Sequence, residues 1–149
     1  MKTAIIYYSR HHENTKKLLD AIKNASSDKI DLFDITESAP ENLNEYDMIG
    51  FASGIYYSKF EKRVIDFARD KTPEGKKVFF IYTSGAKNAG YTKAIRKAVA
   101  EKNASVLGEY GCLGFDTFGP FKLVGGIAKN HPDSSDINGA VSFYNDLEK

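Results

Sequence analysis

The chain has a single cysteine, Cys112, and no tryptophan. One thiol cannot close an internal disulfide or supply a zinc ribbon, so the fold must stand on its apolar core. No apolar run approaches the ~18 residues of a membrane helix, and the N-terminus lacks the basic, long-apolar, small-residue order of a signal peptide. A cytoplasmic protein with no membrane span is therefore the expectation. Neither sign of charge is in excess. The formal net charge is +1, and Lys and Arg gather on no one element, which argues against a nucleic-acid partner. The 149 residues suit one domain, residues 1–149, long enough to bury about two-thirds of the surface of the unfolded chain.

What is present is an alternation of strand and helix patterns. Ala4–Tyr8 is a short apolar run of β-formers, followed by a helix with Leu18, Ala21, Ile22 and Ala25 at i, i+3, i+4 and i+7. Lys29–Ile35 reads as a strand near a sheet edge, and Ser38-Ala39-Pro40 begins a turn-rich linker with room for a short helix. Asp47–Ala52 is an apolar strand, and Phe60, Val64, Phe67 and Ala68 mark the next helix. After the Pro73-Glu74-Gly75 turn, Lys77–Tyr82 reads as the most buried strand. A helix carrying Tyr91, Ala94, Ile95 and Ala98 and a strand over Ser105–Phe115 follow. A terminal helix, capped by Asp133 or Ser134, buries Ile137, Ala140, Val141, Tyr144 and Leu147.

Strand and helix alternating five times, with buried strands, predict a parallel sheet covered on both faces. Right-handed crossovers make it doubly wound, with ligands beyond the C-terminal strand ends where the winding reverses. The loops meeting there are Ser9–Thr15, Ser53–Lys59 and Thr83–Gly90. Charge is locally uneven. Residues 28–47 hold Asp28, Asp31, Asp34, Glu37, Glu41, Glu45 and Asp47 against Lys29 alone, which fits either a solvated edge or a patch for a basic partner.

The first loop discriminates among doubly wound proteins. It has no glycine, which excludes Gly-x-Gly-x-x-Gly, and there is no Walker loop. Strand three ends in Ser53-Gly54 rather than the Asp of a phosphate-accepting receiver. The cysteine of a tyrosine phosphatase loop is missing, because Cys112 sits in the last strand. What remains is a loop dense in donors that feeds a helix N-terminus, where free amides and the helix dipole favour an anion. A phosphate is the expected occupant.

Three loops in order resemble the flavodoxin family: Ser9-Arg10-His11-His12-Glu13-Asn14-Thr15, Ser53-Gly54-Ile55-Tyr56-Tyr57 and Thr83-Ser84-Gly85. Gly119-Pro120 and His131-Pro132 are similar to flavodoxin-type proteins of anaerobes. The phosphate loop is one residue longer than the usual Thr-x-Thr-Gly-Asn-Thr, and Glu13 stands where that motif has glycine. The resemblance implies a three-layer α/β/α sandwich with a five-stranded parallel sheet in order 2-1-3-4-5. It also implies non-covalent FMN. Ser9, Arg10, His11, His12, Asn14 and Thr15 would hold the phosphate. Ser53, Gly54, Ile55, Tyr56 and Tyr57 would meet the ring, together with Thr83, Ser84 and Gly85. Either Tyr56 or Tyr57 offers a flat stacking face. No catalytic residue and no metal ligand set is implied, and Cys112 reads as a small buried apolar residue.

The implied role is a flavodoxin-type electron carrier, a monomer or weak dimer that docks transiently with redox partner proteins. The alternative is an FMN-dependent oxidoreductase of the same fold, quinone reductase-like or protoporphyrinogen oxidase-like. The 149 residues leave no space for a nicotinamide-binding insert, which favours the carrier.

Overall fold

Apolar β-formers become strands, and the 3.6-residue stripes become helices that cover them. The computed structural model describes residues 1–10, 13–86, 88, 90–114 and 130–147. In chain order these form β1 (Lys2–Tyr8), α1 (Asn14–Ala25), β2 (Lys29–Asp34), β3 (Met48–Tyr56) and β4 (Lys59–Phe60). They continue through α2 (Lys62–Lys71), β5 (Lys77–Ser84), α3 (Lys93–Ala100), β6 (Ser105–Leu113) and α4 (Ser134–Asp146). Five parallel strands lie in the order β2-β1-β3-β5-β6, which is the expected 2-1-3-4-5 order, and the two-residue β4 pairs antiparallel with β3.

Side-chain alternation makes this sheet a middle layer. From β1, Ile5 and Tyr7 pack with Leu18, Leu19 and Ile22 of α1 and Tyr144 of α4. Ala4 and Ile6 pack on the other face with Val64 of α2 and Ile95 and Val99 of α3. In β5, Val78, Phe79, Phe80 and Ile81 are all fully buried, each contributing about 1.5–3 kcal/mol relative to an exposed side chain. The chain crosses to opposite sides of β1 to form β2 and β3, so the winding reverses between β1 and β3.

The short helix for which the linker between β2 and β3 has room is present as a single 3-10 turn, Leu43–Glu45. Three other local expectations are corrected. The buried stripe of α1 is Asn14, Thr15, Leu18, Leu19 and Ile22, while Ala25 is exposed. Ala25 lies on the same face, seven residues after Leu18, but it is the last residue of the helix. β3 continues to Tyr56 instead of stopping at Ala52, and Phe60 belongs to β4 rather than to the following helix. β6 ends at Leu113; Phe115, given to that strand by its apolar pattern, lies outside the described residues, as does Gly119-Pro120.

Much of the acidity of residues 28–47 is engaged within the molecule. Asp28 accepts from the Tyr144 hydroxyl, Asp31 from Tyr46, and Asp34 from Arg10. Glu45 pairs with the Lys2 ammonium, and Asp47 accepts from the Lys2 amide. Among the described residues no helix is long and apolar enough to cross a membrane.

Candidate functional site

Strand register gathers the site. Tyr8 stands opposite Ser53, Gly54 opposite Thr83, and Thr83 opposite Cys112. Adjacent C-terminal strand ends therefore open onto one cleft beside the start of α1.

The loop from β1 into α1 makes one wall. The Glu13 amide donates to the Arg10 carbonyl at 3.0 Å. Glu13 takes a left-handed conformation, φ 56°, and its side chain makes no cap bond. It thus occupies a glycine-type backbone position at a cost of about 1–2 kcal/mol. The capping function passes to Ser9, whose Oγ accepts from the Lys16 amide at 3.1 Å, leaving its own hydrogen for another acceptor. Thr15 Oγ1 and Thr83 Oγ1 lie 2.8 Å apart and are buried. One donates to the other, so the pair retains one hydroxyl hydrogen to offer a ligand.

The Thr83-Ser84-Gly85 segment forms the floor. Ser84 Oγ donates to the Ala86 carbonyl at 2.8 Å, and the Tyr91 hydroxyl donates to the same carbonyl at 2.9 Å. The Gly114 amide donates to the Ser84 carbonyl at 2.9 Å, fastening the end of β6 to β5. A Cβ on Gly114 would meet Asn14 Nδ2 at 2.7 Å and Asn14 Cβ at 3.0 Å. Only glycine lets the last strand approach the first turn of α1 this closely.

The third wall is aromatic. Tyr56 lies edge-on to Tyr8 with ring centroids 5.6 Å apart, and its hydroxyl lies over Gly54. The Arg63 guanidinium sits 4.9 Å from the Tyr8 ring centroid, a favourable cation–π distance. Tyr56 pairs with Lys59 across a two-residue turn whose members, Tyr57 and Ser58, have φ of 52° and 65°. Positive φ at both positions is the hairpin geometry that normally selects Asn-Gly or Gly-Gly. Ser53 Oγ accepts from the Glu61 amide at 3.0 Å, and Phe60 is buried, so the base of the hairpin is anchored.

Ser9, Arg10, Asn14, Thr15, Gly54, Ile55, Tyr56, Thr83, Ser84 and Gly85 line this cleft together. Two residues expected at the site do not. Ser53 is fully buried behind the wall, and Tyr57 points outward at 85% exposure. His11 and His12 lie outside the described residues. Gly114 also lines the cleft; the sequence pattern ran the last strand through it to Phe115 and gave no sign that it belongs to the site. Asn14 is the first residue of α1. Cys112 is buried, which pushes its thiol up to about 12 and leaves it unreactive. His131, Asp133 and Asp136 bring ligand-type atoms together. The two carboxylates form the reciprocal N-terminal cap of α4, and His131 Nδ1 contacts Asp136.

The family described as "Flavodoxin domain" matches residues 4–114. The chain belongs to the flavodoxin-domain family. An uncharacterized protein of Methanocaldococcus jannaschii is 37% identical over the whole of this chain and 99% of its own length. A flavodoxin from the domain Archaea superposes with a TM-score of 0.71 at 18% identity, covering 95% of this chain and 92% of its own. The rubredoxin oxygen:oxidoreductase of Desulfovibrio gigas superposes with a TM-score of 0.72 at 11% identity. That likeness covers 98% of this chain but 35% of the larger protein. These structural likenesses establish the flavodoxin fold.

Proposed function

We propose that this flavodoxin-domain protein binds FMN non-covalently and carries electrons between redox proteins that dock transiently at the cleft mouth. The observation behind this reading is the division of one cleft into a polar base and an aromatic wall. Ser9, Asn14, Thr15, Thr83 and Ser84 make the base, and Ile55 and Tyr56 stand beside it. Its donor chemistry suits a phosphate. Ser9 and the Thr15–Thr83 pair each present a hydroxyl hydrogen, and the first-turn amides of α1 add fixed donors. Bonds of this kind to a charged group contribute about 1.5–3 kcal/mol each. Tyr56 supplies an aromatic face for the ring, and Gly54 and Gly85 keep the backbone close to it. FMN supplies the one- and two-electron chemistry when bound. The chain's residues bind it, orient it and set the local charge.

In the carrier reading the chain's residues hold the flavin, and the flavin itself exchanges electrons with the docked partner. The oxidoreductase reading has one observation of its own: the same fold forms about a third of the rubredoxin oxygen:oxidoreductase chain. An absorption spectrum of the purified protein, followed by anaerobic photoreduction and addition of NAD(P)H or a quinol, separates the two. Flavin bands released by acid as FMN, with no response to NAD(P)H or quinol, support the carrier. Rapid bleaching by either reductant moves the assignment to the enzyme. A colourless protein that takes up no added FMN contradicts both.

A further inference from the structure

Arg10 belongs to the phosphate loop, and its guanidinium is engaged by Asp34 and Thr36 at the end of β2. Nη1 donates to Asp34 Oδ2 at 3.0 Å and to the carbonyl of Ser9 at 3.1 Å, and Nη2 donates to Thr36 Oγ1. Asp34 terminates β2 and is 9% exposed. Its other oxygen accepts from the Thr36 amide at 3.0 Å and the Thr36 hydroxyl at 2.7 Å. The turn after β2 is itself tied, with the Glu37 and Ser38 amides donating to the Asp34 carbonyl. A rigid carboxylate thus holds a loop guanidinium, and that guanidinium holds a loop carbonyl.

In a trans peptide the carbonyl and the following N–H point in opposite directions. Fixing the Ser9 carbonyl on the β2 side therefore aims the Arg10 N–H toward the other side, where Ser9 and Arg10 line the cleft. From this geometry we infer that Arg10 and Asp34 form a clamp that orients the Arg10 amide for an anion, with the Arg10 side chain acting as a positioning group and not as the anion's counter-charge. This rests on the FMN reading above and deepens it: the clamp makes the site selective for the phosphorylated flavin over the same flavin without its phosphate.

The sign of one substitution separates this from the obvious alternative. If Arg10 were a phosphate ligand restrained by Asp34, Asp34→Asn would release it and tighten FMN. If Asp34 merely repelled the phosphate, the same change would again tighten FMN. The clamp requires the opposite.

The experiment titrates apoprotein with FMN and with riboflavin for wild type, Asp34→Asn, Arg10→Ala and the double variant. Asp34→Asn and Arg10→Ala should each weaken FMN about tenfold while riboflavin stays within about twofold, and the double variant should lose no more than either single one. Arg10→Lys keeps the charge without the forked donor and should follow Arg10→Ala. FMN unchanged or tightened in Asp34→Asn overturns the clamp, as does an equal loss for both flavins, which marks a purely structural role. Should a variant fail to fold, the Arg10→Lys titration decides alone. Wild-type protein that binds neither flavin overturns the FMN reading itself, and it does so before any substitution is made.

Discussion

The two sides of the cleft are built on different principles. On the phosphate-loop side, polar side chains from distant parts of the chain lock one another. Thr15 bonds Thr83, Ser9 caps Lys16, Arg10 grips Asp34, and Asn14 sits against Gly114. On the other side, the Tyr56–Lys59 hairpin is held at its base by Phe60 and Ser53, while its tip carries two non-glycine residues at positive φ and an exposed Tyr57. The polar side is preorganised for a charge, and the aromatic side presents surface from a strained turn. A binding site of this kind takes its specificity from the first and its contact area from the second.

The comparison breaks most sharply at the buried hydroxyl pair. Thr15→Val removes a donor and leaves Thr83 without its partner; FMN affinity should fall about 100-fold, a loss of about 2.7 kcal/mol, with riboflavin little changed. Next comes the joint between β6 and α1. Gly114→Ala pushes a methyl group into Asn14 and should lower stability by about 1–3 kcal/mol, read as a lower urea midpoint at unchanged slope.

On the aromatic side the effects are smaller and of another kind. Tyr56→Ala should weaken FMN and riboflavin alike, by up to about tenfold, since a stacking contribution of about 0.5–1.5 kcal/mol is indifferent to the phosphate. A phosphate-selective loss from this variant would erase the distinction between the two sides. Ser58→Gly relieves the left-handed strain of the hairpin tip and should raise stability by up to about 1 kcal/mol in thermal melts, the relief being partly offset by the greater chain entropy of glycine.

The smallest effect concerns pH. Burial alone would raise the Asp34 carboxyl, but bonds from the Thr36 hydroxyl and amide and from Arg10 outweigh it and hold the group below the usual carboxylate range. A group depressed in the folded state contributes fully above its unfolded value, and that contribution disappears as pH falls through the folded value. Asp34→Asn should therefore flatten the acid limb of the stability profile below about pH 4 and leave its neutral plateau shape unchanged.

The parallel sheet and the three segments at the reversal of winding were legible because each is written in local pattern: apolar runs, helical stripes, donor-rich loops; the strand order came from the resemblance to the flavodoxin family. What escaped local reading was set by contacts across the chain. Nothing near Arg10 announces Asp34, which comes from the next strand, and nothing near Gly114 announces Asn14. Tyr57 and Ser58 carry no hairpin signal, because the usual Asn-Gly chemistry is replaced by pairing of the flanking residues and the buried Phe60. Ser53 looked like a site residue from its place beside Gly54, but strand alternation turns it to the opposite face. Asn14 and Thr15 are buried polar residues of the α1 stripe that no apolar pattern reveals.

The central claim is that the fixed polar side recognises a phosphate and the aromatic side recognises the ring. Titration of the wild-type apoprotein with FMN and riboflavin, followed by flavin fluorescence, tests it directly. The predicted result is saturable binding of both, with FMN tighter by about 100-fold or more, as two charge-assisted phosphate contacts of about 1.5 kcal/mol each require. Equal affinity for the two flavins would contradict it.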